Sequence, residues 1–510
     1  MPLAPFGQHA DLPLGPRLTV ADLQHALDQH QVDFGRTSQA VCTPALLLWT
    51  WLWQCLSRAR SCGAAVIRTS VLLAALKLPP WSEDTGTSCR ARAKLPAALL
   101  RQLALTVGQR VEDAAVAGWL WRGRHASLLD GSTAPLEDTP ENQRVYPQSG
   151  APQPGLGFPF LRYVVLLGLA TATVQDLALG PHQGKETGAP ALARQVLSRL
   201  RPGDVVVADR YYCSYWLVVL LRAMGVPVVF RMHQCRHYDF RRGQRLGRED
   251  HVVVWQRPKC PEWMTAAEYA AVPEQLVVRE LQVRIPNPGS RTKSVVLVTT
   301  LLEAAAFPKE EVAALYRQRW PAEVDLRSLK QTLGMDHLRG TAPDLVAREL
   351  WMHVLAYNLV RQVMAQAALG AQEHRRPRPR RPGGVAAAKT WTPRAFSFTC
   401  AVEQVMSWWH ENTTGAVETQ PTRSAALLQG VSRKRVGQRP GRIEPRAVKR
   451  RPKDYDRLME PRAQARARRL GEKGPPGKAE GPGSPRRKSG GPADPASRSP
   501  GGRGKVSRRR

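Results

Sequence analysis

The sequence predicts a mixed α/β fold, preceded by a helical segment and followed by a basic, disordered tail. Three observations carry that reading. Up to about residue 122, apolar residues recur at helical spacing with no alternating run among them. From residue 125, short apolar and β-branched runs take turns with helical stretches. Beyond residue 471, Pro, Gly, Ser and Arg dominate, a composition that cannot bury a core.

In the first part, residues 20–31, 44–58, 70–76 and 95–105 carry the helical spacing. The most apolar run, 45–56, is only about a dozen residues against the roughly 20 needed to cross a bilayer, so it reads as a buried helix. Strands are expected at 125–130, 160–169 and 174–179, then a helix at 189–200 and a buried strand at 204–209. A helix at 214–224 and a strand at 226–232 follow. Three strands, a helix, a strand and a further helix–strand pair are the order of a ribonuclease-H-like domain.

Residues 233–302 read as a β-rich insertion with strands at 251–255, 276–285 and 294–301. A helix around Tyr316 comes next, and a long helix at 344–369 closes the domain. The basic Pro/Gly stretch 373–384 reads as a linker and 392–410 as another helix. The expected organisation is therefore a helical region (1–122), a core in two parts (123–232 and 303–370), the insertion (233–302), a basic C-terminal region (371–470) and a disordered tail (471–510).

Eight cysteines form no C-x-x-C pair, which excludes a zinc ribbon or a dithiol redox motif as expectations. The start, Met1-Pro-Leu-Ala-Pro-Phe, lacks a basic stretch followed by an apolar core, so no signal peptide is expected and a reduced, cytoplasmic setting is. The formal net charge of +33 suits a polyanionic partner. The excess is uneven: residues 441–510 hold 22 Lys/Arg against 7 Asp/Glu. A basic tail alone would suit a ribosomal or chromatin-like protein equally well, so charge supports nucleic-acid binding without specifying chemistry.

Chemistry enters with Tyr316-Arg-Gln-Arg319-Trp-Pro-Ala-Glu323-Val-Asp-Leu-Arg-Ser-Leu-Lys330. At about 100° per residue, Tyr316, Arg319, Glu323 and Lys330 fall at roughly 0°, −60°, −20° and −40° on a helix. One arc so carries a phenol, a guanidinium, a carboxylate and an ammonium, a set able to hold a metal ion beside phosphate oxygens. The alternative is the solvated face of an ordinary amphipathic helix. Pro321 requires either a kink or a new helix with the proline in its first turn.

That run resembles the Y-R-E-K signature of DDE transposases of the insertion-sequence-four type, in all four residues and their spacing. Leu333-Gly-Met-Asp-His-Leu-Arg339, Glu349-Leu, Ala356-Tyr-Asn-Leu-Val-Arg361 and the basic run 438–453 also resemble the family. Two aspartate boxes complete the likeness: Leu-Leu-Asp130-Gly-Ser-Thr and Val-Val-Val-Ala-Asp209-Arg-Tyr-Tyr, each at the end of an expected strand. The resemblance implies a catalytic, metal-binding triad of Asp130, Asp209 and Glu323 holding two divalent ions, Mg²⁺ or Mn²⁺. It implies DNA-phosphate contacts from Tyr316, Arg319 and Lys330, with Arg327 as a further candidate.

Asp138, Asp176 and Asp204 are rival carboxylates, Asp138 reading as a loop residue and Asp204 as a turn residue after Pro202-Gly203. In this family a tryptophan of the insertion is associated with stacking on an extruded base, and Trp255 and Trp263 are both in that region. The segment 84–95 is a loop entering a basic helix, either a solvated face or a contact to a DNA end. The implied activity is cut-and-paste transposition by a homodimer in a synaptic complex, acting on terminal inverted repeats and target DNA near the nucleoid, away from membranes. A hydrolytic nuclease without strand transfer, or a non-mobile DNA-binding descendant, are the rival readings.

Overall fold

The computed structural model describes residues 17–34, 43–75, 77–148, 157–182, 184, 187–285, 294–373, 391–412, 420–437, 460 and 462–471. The described residues begin with α1 (Val20–Gln29), α2 (Pro44–Leu56), α3 (Cys62–Ala75), α4 (Thr85–Arg92) and α5 (Ala97–Asp113), with no strand among the described residues of this part. Thr19, Thr43 and Asp84 cap α1, α2 and α4 by accepting first-turn N–H groups. Ten of the 13 residues of α2 are buried, as its all-round apolar surface requires. Among the described residues no helix is long and apolar enough to cross a membrane.

The strands are β1 (Ala126–Pro135), β2 (Phe160–Gly168), β3 (Val174–Pro181), β4 (Val205–Ala208), β5 (Val228–Arg231), β6 (Gln244–Gly247), β7 (Asp250–Gln256), β8 (Gln275–Arg284) and β9 (Ser294–Thr299). They form one nine-stranded sheet in the order β3-β2-β1-β4-β5-β9-β8-β7-β6. β1, β2 and β3 are antiparallel, and β4 and β5 run parallel to β1. A short helix α6 (Pro140–Val145) follows β1, and helices α7 (Ala189–Val196) and α8 (Tyr215–Ala223) supply the crossovers to those two strands. The element order expected over residues 125–232 is thus present.

The strands of 233–302 do not make a sheet of their own. β9 pairs with β5 through Val229↔Thr299, Phe230↔Val298 and Arg231↔Leu297, so β6 to β9 extend the core sheet. A strand as apolar as β5 would otherwise present an open edge. The segment also contains a helix that alternating patterns did not predict, α9 (Ala266–Ala271), capped by a reciprocal Thr265–Glu268 box.

Alternation sorts the strands onto two cores. Leu128, Val205 and Val207 face the larger one, built with α2, α5 and the long helix α12 (Pro343–Glu373). Leu129, Val206 and Ala208 face the smaller one, under α7 and α8. Asn358 ties α12 to the rest: its side-chain amide donates to Ala104 O at 2.8 Å and Val174 O at 2.9 Å, and its oxygen accepts from Val174 N at 2.8 Å. Gly108 permits that approach, since a Cβ there would lie 2.6 Å from Val174 O.

After residue 390 come α13 (Phe398–Asn412) and α14 (Gln420–Arg433). The sequence anticipates the first and not the second. Residues 460–510 separate as a second unit, of which α15 (Arg462–Leu470) is described, with Arg468 paired to Glu460 at 2.7 Å. The linker at 374–384, the basic run 438–453 and the tail from 472 lie outside the described residues.

Candidate active site

Asp130 does not end a strand. β1 continues through Gly131, Ser132 and Thr133 to Pro135, and Asp130 pairs with Val165 in the middle of the ladder. Across the other edge, Leu129 pairs with Ala208 of β4, which places Asp130 and Asp209 side by side one step further on. Asp209 is still extended (φ −79°, ψ 173°), so both aspartates fall in step with Leu128 and Val207 and project from the face of the larger core. Gly131 on the opposite face makes room for Tyr212: a Cβ there would stand 2.9 Å from the Tyr212 hydroxyl.

The run from Tyr316 to Lys330 crosses two helices and an irregular turn. α10 (Lys309–Arg317) ends at Gln318, which also opens α11 (Arg319–Arg327), with Pro321 in the first turn of the new helix. Residues Ser328–Thr332 then form a π-turn. A single arc on a continuous helix is therefore replaced, yet the residues still gather. Tyr316, Leu326 and Leu329 pack into the larger core, on the face from which the aspartates project.

Arg319 links the parts. Its guanidinium is 3.5 Å from Glu323 Oε1 and lies near the Tyr316 ring, 5.9 Å from the centroid. Burial works against the charge of Arg319, but Tyr316, Asp209, Asp130 and Glu323 outweigh it and strengthen its hold on the proton. Burial raises the Asp130 carboxyl above its usual range, and the charges of Asp209 and Glu323 add to the rise; the Gly131 N–H and Arg319 oppose it. The buried Tyr316 phenol is pushed up to about 12, chiefly by desolvation. Lys330 docks on the strand of Asp130, its Nζ donating to Ser132 Oγ and Thr133 O at 3.0 Å each.

Sequence reasoning missed Arg231, which ends β5 and brings its guanidinium to 3.9 Å from Asp209 Oδ1. It also missed Asp325, buried on α11 between Arg361 at 2.6 Å and Arg394 at 2.7 Å. The rival aspartates are occupied elsewhere. Asp204 accepts from Arg201 N at 2.8 Å as a turn residue, and Asp176 is held by Arg101 at 2.6 Å. Asp138 accepts from Gln143 Nε2 within its loop. Trp255 is buried, donates to Glu280 Oε1 at 2.8 Å and lies under Arg236, whereas Trp263 is 39% exposed beneath Arg194.

The donor set suits a hard divalent cation. Asp209 Oδ1 is buried without a hydrogen-bond partner, and the charges of Asp209 and Glu323 act on Asp130. Among the described residues, however, no three His, Cys, Asp or Glu side chains converge closely enough to ligate one ion. Glu323 is instead paired with Arg319.

Residues 121–359 match the model of a family described as the transposase DDE domain. Over 256 residues, covering 49% of this chain and 54% of the relative, the chain is 28% identical to transposase InsG for insertion sequence element IS4 of Escherichia coli strain K12. It thus spans about half the length of the curated relative it matches. A cryo-EM structure of a piggyBac transposase synaptic complex with hairpin DNA aligns over 86% of this chain and 88% of that chain, at 9% identity and a TM-score of 0.41. The chain is thus similar to transposase DDE domains over residues 121–359 and to a transposase of insertion sequence element IS4.

Proposed function

We propose that this chain is a DNA transposase that cuts and rejoins strands at the terminal inverted repeats of its element, by cut-and-paste transposition. The observation that carries the reading is the side-by-side placement of Asp130 and Asp209, one step beyond the Leu129–Ala208 pair of parallel strands, with Arg319 and Glu323 within electrostatic reach. The core would be ribonuclease-H-like, with 233–302 as its β-rich insertion.

Asp130, Asp209 and Glu323 would hold two divalent ions, Mg²⁺ or Mn²⁺. When bound, these supply a deprotonated nucleophile and screen charge at phosphorus. Arg319, moved from Glu323 to a phosphate by the incoming DNA, would neutralise the scissile group through its planar fork. Lys330 would hold the adjacent phosphate, with Tyr316 beneath Arg319 fixing its plane. Water attack at phosphorus expels a 3′-oxygen, and the freed 3′-hydroxyl then displaces a second 3′-oxygen at another phosphodiester. A homodimer would bring two DNA ends together, and the tail from 471 would act as a non-specific tether.

The test is direct. Asp130→Asn, Asp209→Asn and Glu323→Gln each keep shape and remove a ligand charge, so each should abolish cleavage while binding to an end duplex persists. Cleavage in Mg²⁺ or Mn²⁺, run beside gel-shift binding, reads both. Cutting at the wild-type rate by any one variant removes that residue from the triad.

A further inference from the structure

We infer that Asp325 is a positioning residue whose clamp between Arg361 and Arg394 sets the rotation of the helix carrying Glu323. This rests on the reading of Glu323 as a ligand. Two residues apart on α11, Glu323 and Asp325 face nearly opposite ways, about 200° round the helix. Whatever fixes Asp325 therefore aims Glu323.

Little else does. Among the described side chains of α11, only Asp325 and Leu326 are buried, and the helix begins at Gln318 with no side-chain cap. Against that sparse packing stands a chain of charged contacts. Arg361 Nη2 donates to Asp325 Oδ1 at 2.6 Å and Arg361 Nε to the Tyr357 hydroxyl at 2.9 Å. Tyr357 in turn donates to Ala172 O at 2.8 Å. On the other oxygen, Arg394 Nη1 stands 2.7 Å from Asp325 Oδ2, and its Nη2 donates to Gly168 O at 3.2 Å. Gly168 ends β2 and Ala172 is in the loop to β3, so the clamp references α11 to the sheet bearing Asp130.

The chemistry argues for placement over bulk stability. A buried ion cluster is a poor way to stabilise a helix compared with apolar side chains of the same volume, and its best-attested use is to specify one register. Arg394 also lies beyond residues 121–359 matched by the family model, so the C-terminal segment supplies part of the support.

The experiment uses the full chain with Mn²⁺ as probe. Arg394→Gln leaves the Arg361–Asp325 pair in place, and Asp325→Asn removes the charge on which both contacts rest. Mn²⁺ binding is followed by water-proton relaxation and strand nicking on a plasmid carrying the element's ends, with melting curves alongside. Both variants should raise the Mn²⁺ midpoint about tenfold, as supporting partners of metal ligands do, and excess Mn²⁺ should restore part of the nicking. Glu323→Gln should lose nicking with the clamp intact. A wild-type Mn²⁺ midpoint in folded Arg394→Gln overturns the inference while the triad stands. A wild-type chain that neither binds Mn²⁺ nor nicks overturns the functional reading, and the inference with it.

Discussion

Gly131→Ala should damage both stability and cutting, because the new methyl group points at Tyr212. The Cβ would stand 2.9 Å from the Tyr212 hydroxyl and 3.2 Å from the Tyr163 carbonyl oxygen. The first distance is nearly 1 Å inside ordinary contact, and overpacking of that size costs about 1–3 kcal/mol. Against it, alanine in a strand gains roughly 0.5–1 kcal/mol over glycine. The net expectation is a loss of about 1–2 kcal/mol, with β1 and the segment after Asp209 pushed apart. Tyr212→Phe removes the clashing oxygen and leaves only the carbonyl contact, so the same alanine should cost less than about 1 kcal/mol in that background. Urea unfolding of the four proteins in a double-mutant cycle measures the difference, and end cleavage measures the displacement. An alanine that costs as much in the Tyr212→Phe background as in the wild-type chain would refute the contact as the cause.

Arg279→Met should cost about 3–5 kcal/mol in chemical denaturation, since it strands a buried carboxylate; Asp250 now receives Nε at 2.7 Å and Nη2 at 2.6 Å. Adding Asp250→Leu should recover most of that loss, and no recovery would mean the pair is not isolated. Glu349 accepts from Arg339 N and Gly340 N, yet burial raises its carboxyl from 4.5 to about 7. The unfolded chain releases this proton first, so wild-type stability should fall between pH 4.5 and about 7. Glu349→Gln should flatten that slope, a difference on the order of 3 kcal/mol; parallel slopes in both proteins would remove Glu349 as the cause. Deleting residues 471–510 should leave specific end cleavage intact and make the fall of DNA affinity with salt shallower. Loss of cleavage with unchanged affinity for random duplex would instead make the tail part of the active assembly.

What was legible follows from how local each signal is. β2, β4 and β5 are apolar on both faces and announce themselves as runs. β1 was cut short because Gly131-Ser-Thr carries the chemistry of a turn, whereas nine ladder pairs with β2 hold it extended to Pro135. α9 was readable in its Thr265–Glu268 box, but the β-rich surroundings masked it. The aspartate boxes and the Tyr316-to-Lys330 run were found because motif spacing is local. The break at Gln318 was foreseen only as one consequence of Pro321. Asp325 could not be found this way, since its partners are 36 and 69 residues away and nothing in the run distinguishes it from an exposed acid. Arg231 reads likewise as an ordinary strand terminus until β5 is laid near Asp209.

The ladder between β5 and β9 has a mechanical consequence. Because β6 to β9 share backbone hydrogen bonds with the strands beside Asp130 and Asp209, the two halves of the sheet form one plate with no seam along which 233–302 could swing. A sheet twists and bends smoothly but does not hinge across an intact ladder. Under the function proposed above, closure around DNA would be carried by what rests on the plate. The junction at Gln318 and the π-turn at 328–332 are the breaks in that layer, and α11 between them is held to the plate through Asp325.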